Sequence, residues 1–152
     1  MFGGHSSDVT SARARKNTNM TTTEISPDGA VTKTAAGSVA EVAARFRGLL
    51  DAKGVMVFAI IDQAAAAQTA GLSLRDTVLI IFGNPAAGTP VMAAAPLAGL
   101  DLPLKVLIWD DAGVTRVSYY SPESIADRHN LSPATAAGLS AINALTDALT
   151  KA

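Results

Sequence analysis

Residues Thr77 to Tyr120 read TVLIIFGNPAAGTPVMAAAPLAGLDLPLKVLIWDDAGVTRVSYY. Val78 to Phe82 is a short aliphatic run that stops at Gly83-Asn84-Pro85, which reads as a strand, begun at Thr77, running into a turn. Leu104 to Trp109 and Val114 to Tyr120 are two further strands, joined by Asp110-Asp111-Ala112-Gly113, and the spacing predicts a hairpin. Tyr119 and Tyr120 then face opposite sides of the sheet. Between these strands, Thr89 and Pro90 read as the N-cap and first residue of a short helix reaching about Ala95, because proline there gives up no hydrogen bond.

Upstream, Val31 to Ala35 is a short strand after the turn residues Pro27-Asp28-Gly29. Ser38 with Glu41 three residues on forms a capping box, and Val39, Val42, Ala43, Phe46, Leu49 and Leu50 repeat at helical spacing until Gly54. Val55 to Ile61 is continuously apolar and predicts a strand buried on both faces. Gln63 to Ala70 is an alanine-rich helix ended by Gly71. Downstream, a helical turn covers Glu123 to His129. Ser132 and Pro133 open a last helix whose apolar face is Ala136, Leu139, Ile142, Leu145 and Leu149. This order of elements defines an α+β domain of two layers: a mainly antiparallel sheet of five strands with two long helices on one face. The expected organisation is a disordered N-terminal tail over residues 1–30, rich in Ser, Thr, Asn and Gly, followed by a single domain over 31–152.

The 152 residues carry 12 basic and 13 acidic side chains, a formal net charge of -1, so no basic surface for nucleic acid is expected. There is no cysteine, which removes disulfides, thiolate metal sites and cysteine nucleophiles. With 49% hydrophobic residues the chain can bury a sizeable core, yet its apolar runs are far shorter than the roughly 20 residues of a membrane span. No membrane association and a cytoplasmic location are the expectation, since the N-terminus reads as no secretory signal.

Gly83 and Gly88, directly after a strand, have the spacing of half a phosphate loop, but Thr89-Pro90 stands where the lysine and hydroxyl of that motif belong. What remains is a helix start at Gly88-Thr89 whose N–H groups could hold a carboxylate or phosphate. Asp62, where a strand meets a helix, is a natural N-cap. His129 beside an acid would serve as a general base, with Asp62 or Asp101 as its partner. Asp110 and Asp111 belong to the hairpin. No metal site is assigned and no cofactor is implied.

Several separated pieces together resemble the family catalogued as domain of unknown function 302. They are Ile61-Asp62, Ala70-Gly71-Leu72 with Leu74-Arg75, Phe82-Gly83-Asn84-Pro85, Gly88-Thr89, Asp101-Leu102-Pro103-Leu104-Lys105, Trp109 with Asp111 and Gly113, Ser118-Tyr119, and Arg128-His129. The resemblance covers about Val31 to Leu131. It implies a fold similar to the TATA-binding-protein arrangement, a curved antiparallel sheet carrying helices, and a homodimer; it does not imply DNA binding. Gly83 and Leu104 stand where some members carry cysteine, and Gln63 where members with Phe-Gly-Asn-Pro carry histidine. Thiol chemistry therefore does not carry over, and proton transfer beside Asp62 loses support.

The function expected from these readings is a homodimeric small-ligand or anion-binding protein. Its site would be lined by Asp62, Asn84, Gly88, Thr89, Lys105, Arg128 and His129, because polar residues at strand ends and turns are where function concentrates. The alternatives are a hydrolase- or isomerase-type enzyme using His129 with an aspartate, its catalytic candidates being His129 and Asp62, and a structural or interaction module.

Overall fold

The structure, a computed structural model, describes residues 23–150. Its strands are β1 (Glu24–Ile25), β2 (Ala30–Ala35), β3 (Met56–Asp62), β4 (Thr77–Gly83), β5 (Leu104–Asp111) and β6 (Val114–Tyr120). Its helices are α1 (Val39–Ala52), α2 (Gln63–Thr69), α3 (Pro85–Ala94), α4 (Pro122–His129), α5 (Pro133–Ala136) and α6 (Ala141–Thr150), with 3-10 turns at Pro96–Leu100 and Ala137–Leu139. The strands form one antiparallel sheet in the order β1-β2-β6-β5-β4-β3.

The α+β architecture is the one expected, with six strands instead of five. The extra strand is β1, which pairs Glu24 with Thr32 and Ile25 with Val31. It falls inside the stretch assigned to a tail, where a two-residue pairing leaves no periodicity to read; residues 1–22 lie outside the described residues.

Alternation puts Val31, Val117, Tyr119, Leu104, Val106, Ile108, Ile80 and Phe82 on one buried sheet face. Helix α1 covers it because its capping box forms as read: the Ser38 hydroxyl accepts from the Glu41 N–H, and the Glu41 carboxylate accepts from the Ser38 N–H. Val42, Phe46 and Leu50 are fully buried, and the Phe46 ring meets Phe82 edge to face at 5.2 Å. Gly54, at a φ of +67° that favours glycine, turns the chain into β3. Helix α6 packs on the same face beside α1.

Three element readings are corrected. The expected last helix is broken into α5, a 3-10 turn and α6, since Gly138 packs against the Ala87 backbone of α3 and Ser140 bonds back to the Ala137 carbonyl. Helix α3 begins at Asn84-Pro85 rather than Thr89-Pro90, which leaves Pro90 inside it. Finally, β3 is not buried on both faces: among the described residues it is an edge strand, bonded only to β4, with Met56, Phe58, Ile60 and Ile61 all 40% or more exposed.

Candidate functional site

Asn84 ends β4 and caps α3, its side-chain oxygen accepting from the Ala86 N–H at 3.0 Å. Its backbone carbonyl accepts from Ala87 and Gly88, at 2.9 and 3.0 Å. With proline at the first helical position, the N–H groups of the opening turn are all taken. Gly88 and Thr89 therefore lie within a helix instead of starting one, and offer an anion no open cluster of donors.

Asp62 caps α2 through the Ala65 N–H at 2.9 Å. It pairs with Val78 while Met56 pairs with Gly83, so Asp62 and Asn84 sit at opposite ends of β4, about 20 Å apart at strand rise. Asp62 does not join the other candidates.

Lys105, Arg128 and His129 do come together, and they meet at Asp101. The last turn of α4 aims both basic residues at one carboxylate oxygen of Asp101: Arg128 Nη1 at 2.8 Å and His129 Nε2 at 2.5 Å. Lys105 donates to the backbone carbonyls of Asp101 and Pro103, at 3.1 and 3.0 Å. Arg128 also lies over the Tyr120 ring, 5.3 Å from its centre. Partial burial pushes the Asp101 carboxyl up, but the hydrogen bonds from His129 and Arg128 outweigh it and hold the group below its ordinary 3.8. Burial pushes the Lys105 ammonium down, against the attraction of Asp101. Asp101 also holds Arg128 above its ordinary value. Lys105 and His129 are thus held against one loop, and Arg128 reaches it through one guanidinium nitrogen while 40% of its side chain stays exposed. His129 keeps Nδ1 without a hydrogen bond among the described residues.

The loop they hold is one wall of a cavity of about 280 Å³. Leu102 and Pro103 form that wall, Phe58 and Phe82 come from the sheet, Met92 from α3, and Leu145 from α6. The lining is almost wholly apolar, and Asn84 at its edge is a polar exception whose amide nitrogen makes no hydrogen bond among the described residues. Sequence reading identified Asn84 but not this cavity. Its walls come from four separate segments; Gly138, where α3 and the last helical segment touch, was the available signal.

A six-stranded antiparallel sheet with α1 and α6 on one face, and a capped turn beside an apolar cavity, defines the class of domain. The same fold is found in a crystal structure of an uncharacterised conserved DUF302 protein from Bacillus stearothermophilus, with a TM-score of 0.69 over 81% of this chain and 96% of that one, at 21% identity. Residues 31–151 match the model of the domain of unknown function DUF302, and the chain belongs to that family. Among curated proteins it is 38% identical over 124 residues to the fluoride-specific ion channel FluC 1 of Brucella suis, and equally to FluC 1 of Brucella abortus and FluC 2 of Brucella melitensis. The match takes in 81% of this chain but 49%, 46% and 46% of those proteins, so the chain spans about half the length of the curated relatives. No helix among the described residues is long and apolar enough to cross a membrane.

Proposed function

We propose that this domain binds a small, largely apolar molecule in the cavity beside Asn84, without transforming it. The observation that carries this reading is the cavity itself: about 280 Å³, lined by hydrophobic side chains from several elements, with one unengaged amide at its edge to orient a ligand. The expected anionic ligand has less support, because Lys105, Arg128 and His129 are engaged with the Asp101 loop. A thermal-shift screen of short aliphatic alcohols, aromatics and fatty acids tests it. A Cβ added at Gly83 would sit in ordinary contact, 3.7 Å from both Phe58 and Pro103, so the bulkier Gly83→Val narrows the cavity. Ligands are expected to raise the melting temperature of the wild type and not of Gly83→Val; a screen in which none distinguishes the two refutes the reading.

A second reading rests on the His129 and Asp101 pair. A carboxylate that orients an imidazole, whose other nitrogen makes no hydrogen bond among the described residues, is the arrangement of a general base, suited to a hydrolase or isomerase. It ranks second because neither residue lines the apolar cavity. Hydrolysis of activated esters that disappears in His129→Gln would favour it; turnover unaffected by that change would remove it.

The kinship to half of each Brucella channel suggests an accessory role beside a membrane protein. Fluoride efflux that is unchanged when the matching half of such a channel is deleted would argue against that role.

A further inference from the structure

We infer, resting on the ligand-binding reading above, that the molecule taken by the cavity is a neutral carbonyl compound of about nine non-hydrogen atoms, a ketone, aldehyde or ester held by its oxygen at Asn84. Charge is excluded first. Leu104 and Phe82 pair across β5 and β4, and both line the cavity. Lys105, the next residue of β5, therefore faces the other side of the sheet, where it is engaged with the carbonyls of Asp101 and Pro103. Neither Arg128 nor His129 belongs to the lining, and no acidic side chain does. A carboxylate or ammonium buried here would find no counter-charge. With no amine in the lining to condense with a carbonyl, the complex is non-covalent.

Hydrogen bonding then sets the sense of the contact. Asn84 lines the cavity and is exposed, so its amide stands at the mouth. The side-chain oxygen accepts from the Ala86 N–H at 3.0 Å, which fixes the orientation of the amide, because its nitrogen cannot accept. The Asn84 backbone carbonyl is taken by Ala87 and Gly88, and the Pro103 carbonyl by Lys105. The Val55 and Leu102 N–H groups donate to the Leu50 and Ala98 carbonyls. What these bonds leave over is a donor, Asn84 Nδ2. A ligand oxygen that accepts without donating completes it, whereas a hydroxyl brings a proton for which none of these groups is a free acceptor. Size follows from the volume: about 280 Å³, at roughly 30 Å³ for each water-sized group, holds about nine non-hydrogen atoms. Phe58, Phe82 and Met92 supply aromatic and thioether surface, so an aryl ketone is the natural probe.

Acetophenone, isopropylbenzene, 1-phenylethanol and benzoate are matched in size and differ in what they present: an acceptor, no polar group, a hydroxyl and a charge. Calorimetric titration of the full chain is expected to rank acetophenone first, about fivefold tighter than isopropylbenzene, with benzoate weakest. Asn84→Asp keeps the cap of α3 and replaces the donor by an acceptor. In that variant acetophenone should lose its advantage and 1-phenylethanol should bind the more tightly of the two. The infrared carbonyl stretch of bound acetophenone separates a hydrogen bond from altered packing: it should lie at lower frequency in the wild type than in Asn84→Asp. Acetophenone no tighter than isopropylbenzene, or an advantage that survives in Asn84→Asp, overturns the carbonyl class and leaves the cavity as a site for apolar molecules. Benzoate binding tightest overturns the class and restores an anionic ligand. If none of the four binds the wild type, the class and the ligand-binding reading fall together. Should Asn84→Asp not fold, the wild-type ranking and stretch decide, and a stretch at the frequency found in dry hydrocarbon overturns the class.

Discussion

Asp101 accepts from Arg128 and His129 on one oxygen while its own backbone carbonyl receives Lys105. Its side chain is 22% exposed, so screening by water is incomplete and the contacts stabilise the fold. Asp101→Asn is expected to cost about 1 to 3 kcal/mol, read by urea unfolding near neutral pH. The sign with pH follows from the shift. The folded carboxyl titrates below its ordinary 3.8, so its contribution is complete above that value and is lost as pH falls through the lower, folded one. Wild type and Asp101→Asn should therefore converge in stability as the pH is taken well below 3.8; a gap that persists unchanged would show that the contacts are not ionic. Asn84 allows a different separation. Asn84→Ala should cost about 1 kcal/mol through the lost cap of α3, whereas Asn84→Asp caps equally well but donates nothing. Thermal unfolding should find Asn84→Asp near wild type in stability and weaker in ligand binding; equal binding would show that the amide serves only its own turn.

At the scale of elements, α6 is held to the sheet by a lysine inside the core. Lys33 shares the buried face of β2 with Val31 and Ala35, and bonds Thr146 Oγ1 at 2.7 Å and Asp147 at 2.8 Å beneath the Tyr119 ring. Thr146 also donates to Ile142, so removing the ammonium leaves that hydroxyl bonded. Lys33→Met keeps the packing of the stem and should lie within about 1 kcal/mol of wild type, while Lys33→Ala opens a cavity and should cost about 2 to 4 kcal/mol, by denaturant unfolding. The contrast shows what sequence can reveal about such elements. Ser38 with Glu41 and the β5-β6 hairpin were legible because their partners lie within a few residues. Lys33 facing inward, β3 at an edge, and the break at Gly138 each depend on a partner dozens of residues away. The Thr89-Pro90 error has another cause: two proline starts, Asn84-Pro85 and Thr89-Pro90, compete within one helix, and the earlier one has the better cap.

For the whole molecule, the question is whether its charge reaches a ligand at all. The chain has a net charge of -1, and the candidate cations are folded onto Asp101 and backbone carbonyls, while the cavity offers almost no polar surface. Four of the expected site residues were legible as a group, since Asn84, Lys105, Arg128 and His129 do flank the same loop. Their purpose was not, because a sequence shows that a lysine is present but not that its protons are already donated. The two ligand classes separate by ionic strength. Raising salt from about 0.01 M to about 1 M shortens the screening length from about 30 Å to about 3 Å, which weakens attraction between an exposed cationic site and an anion. An apolar ligand loses nothing to screening, and exclusion of salt from apolar surface tends to strengthen its burial. Titrations of acetophenone across that range are therefore expected to show constant or tighter binding. For a fatty acid the same series separates chain from headgroup: affinity that holds places the binding energy in the apolar cavity, and affinity that falls steeply with salt would return Lys105 and Arg128 to the site.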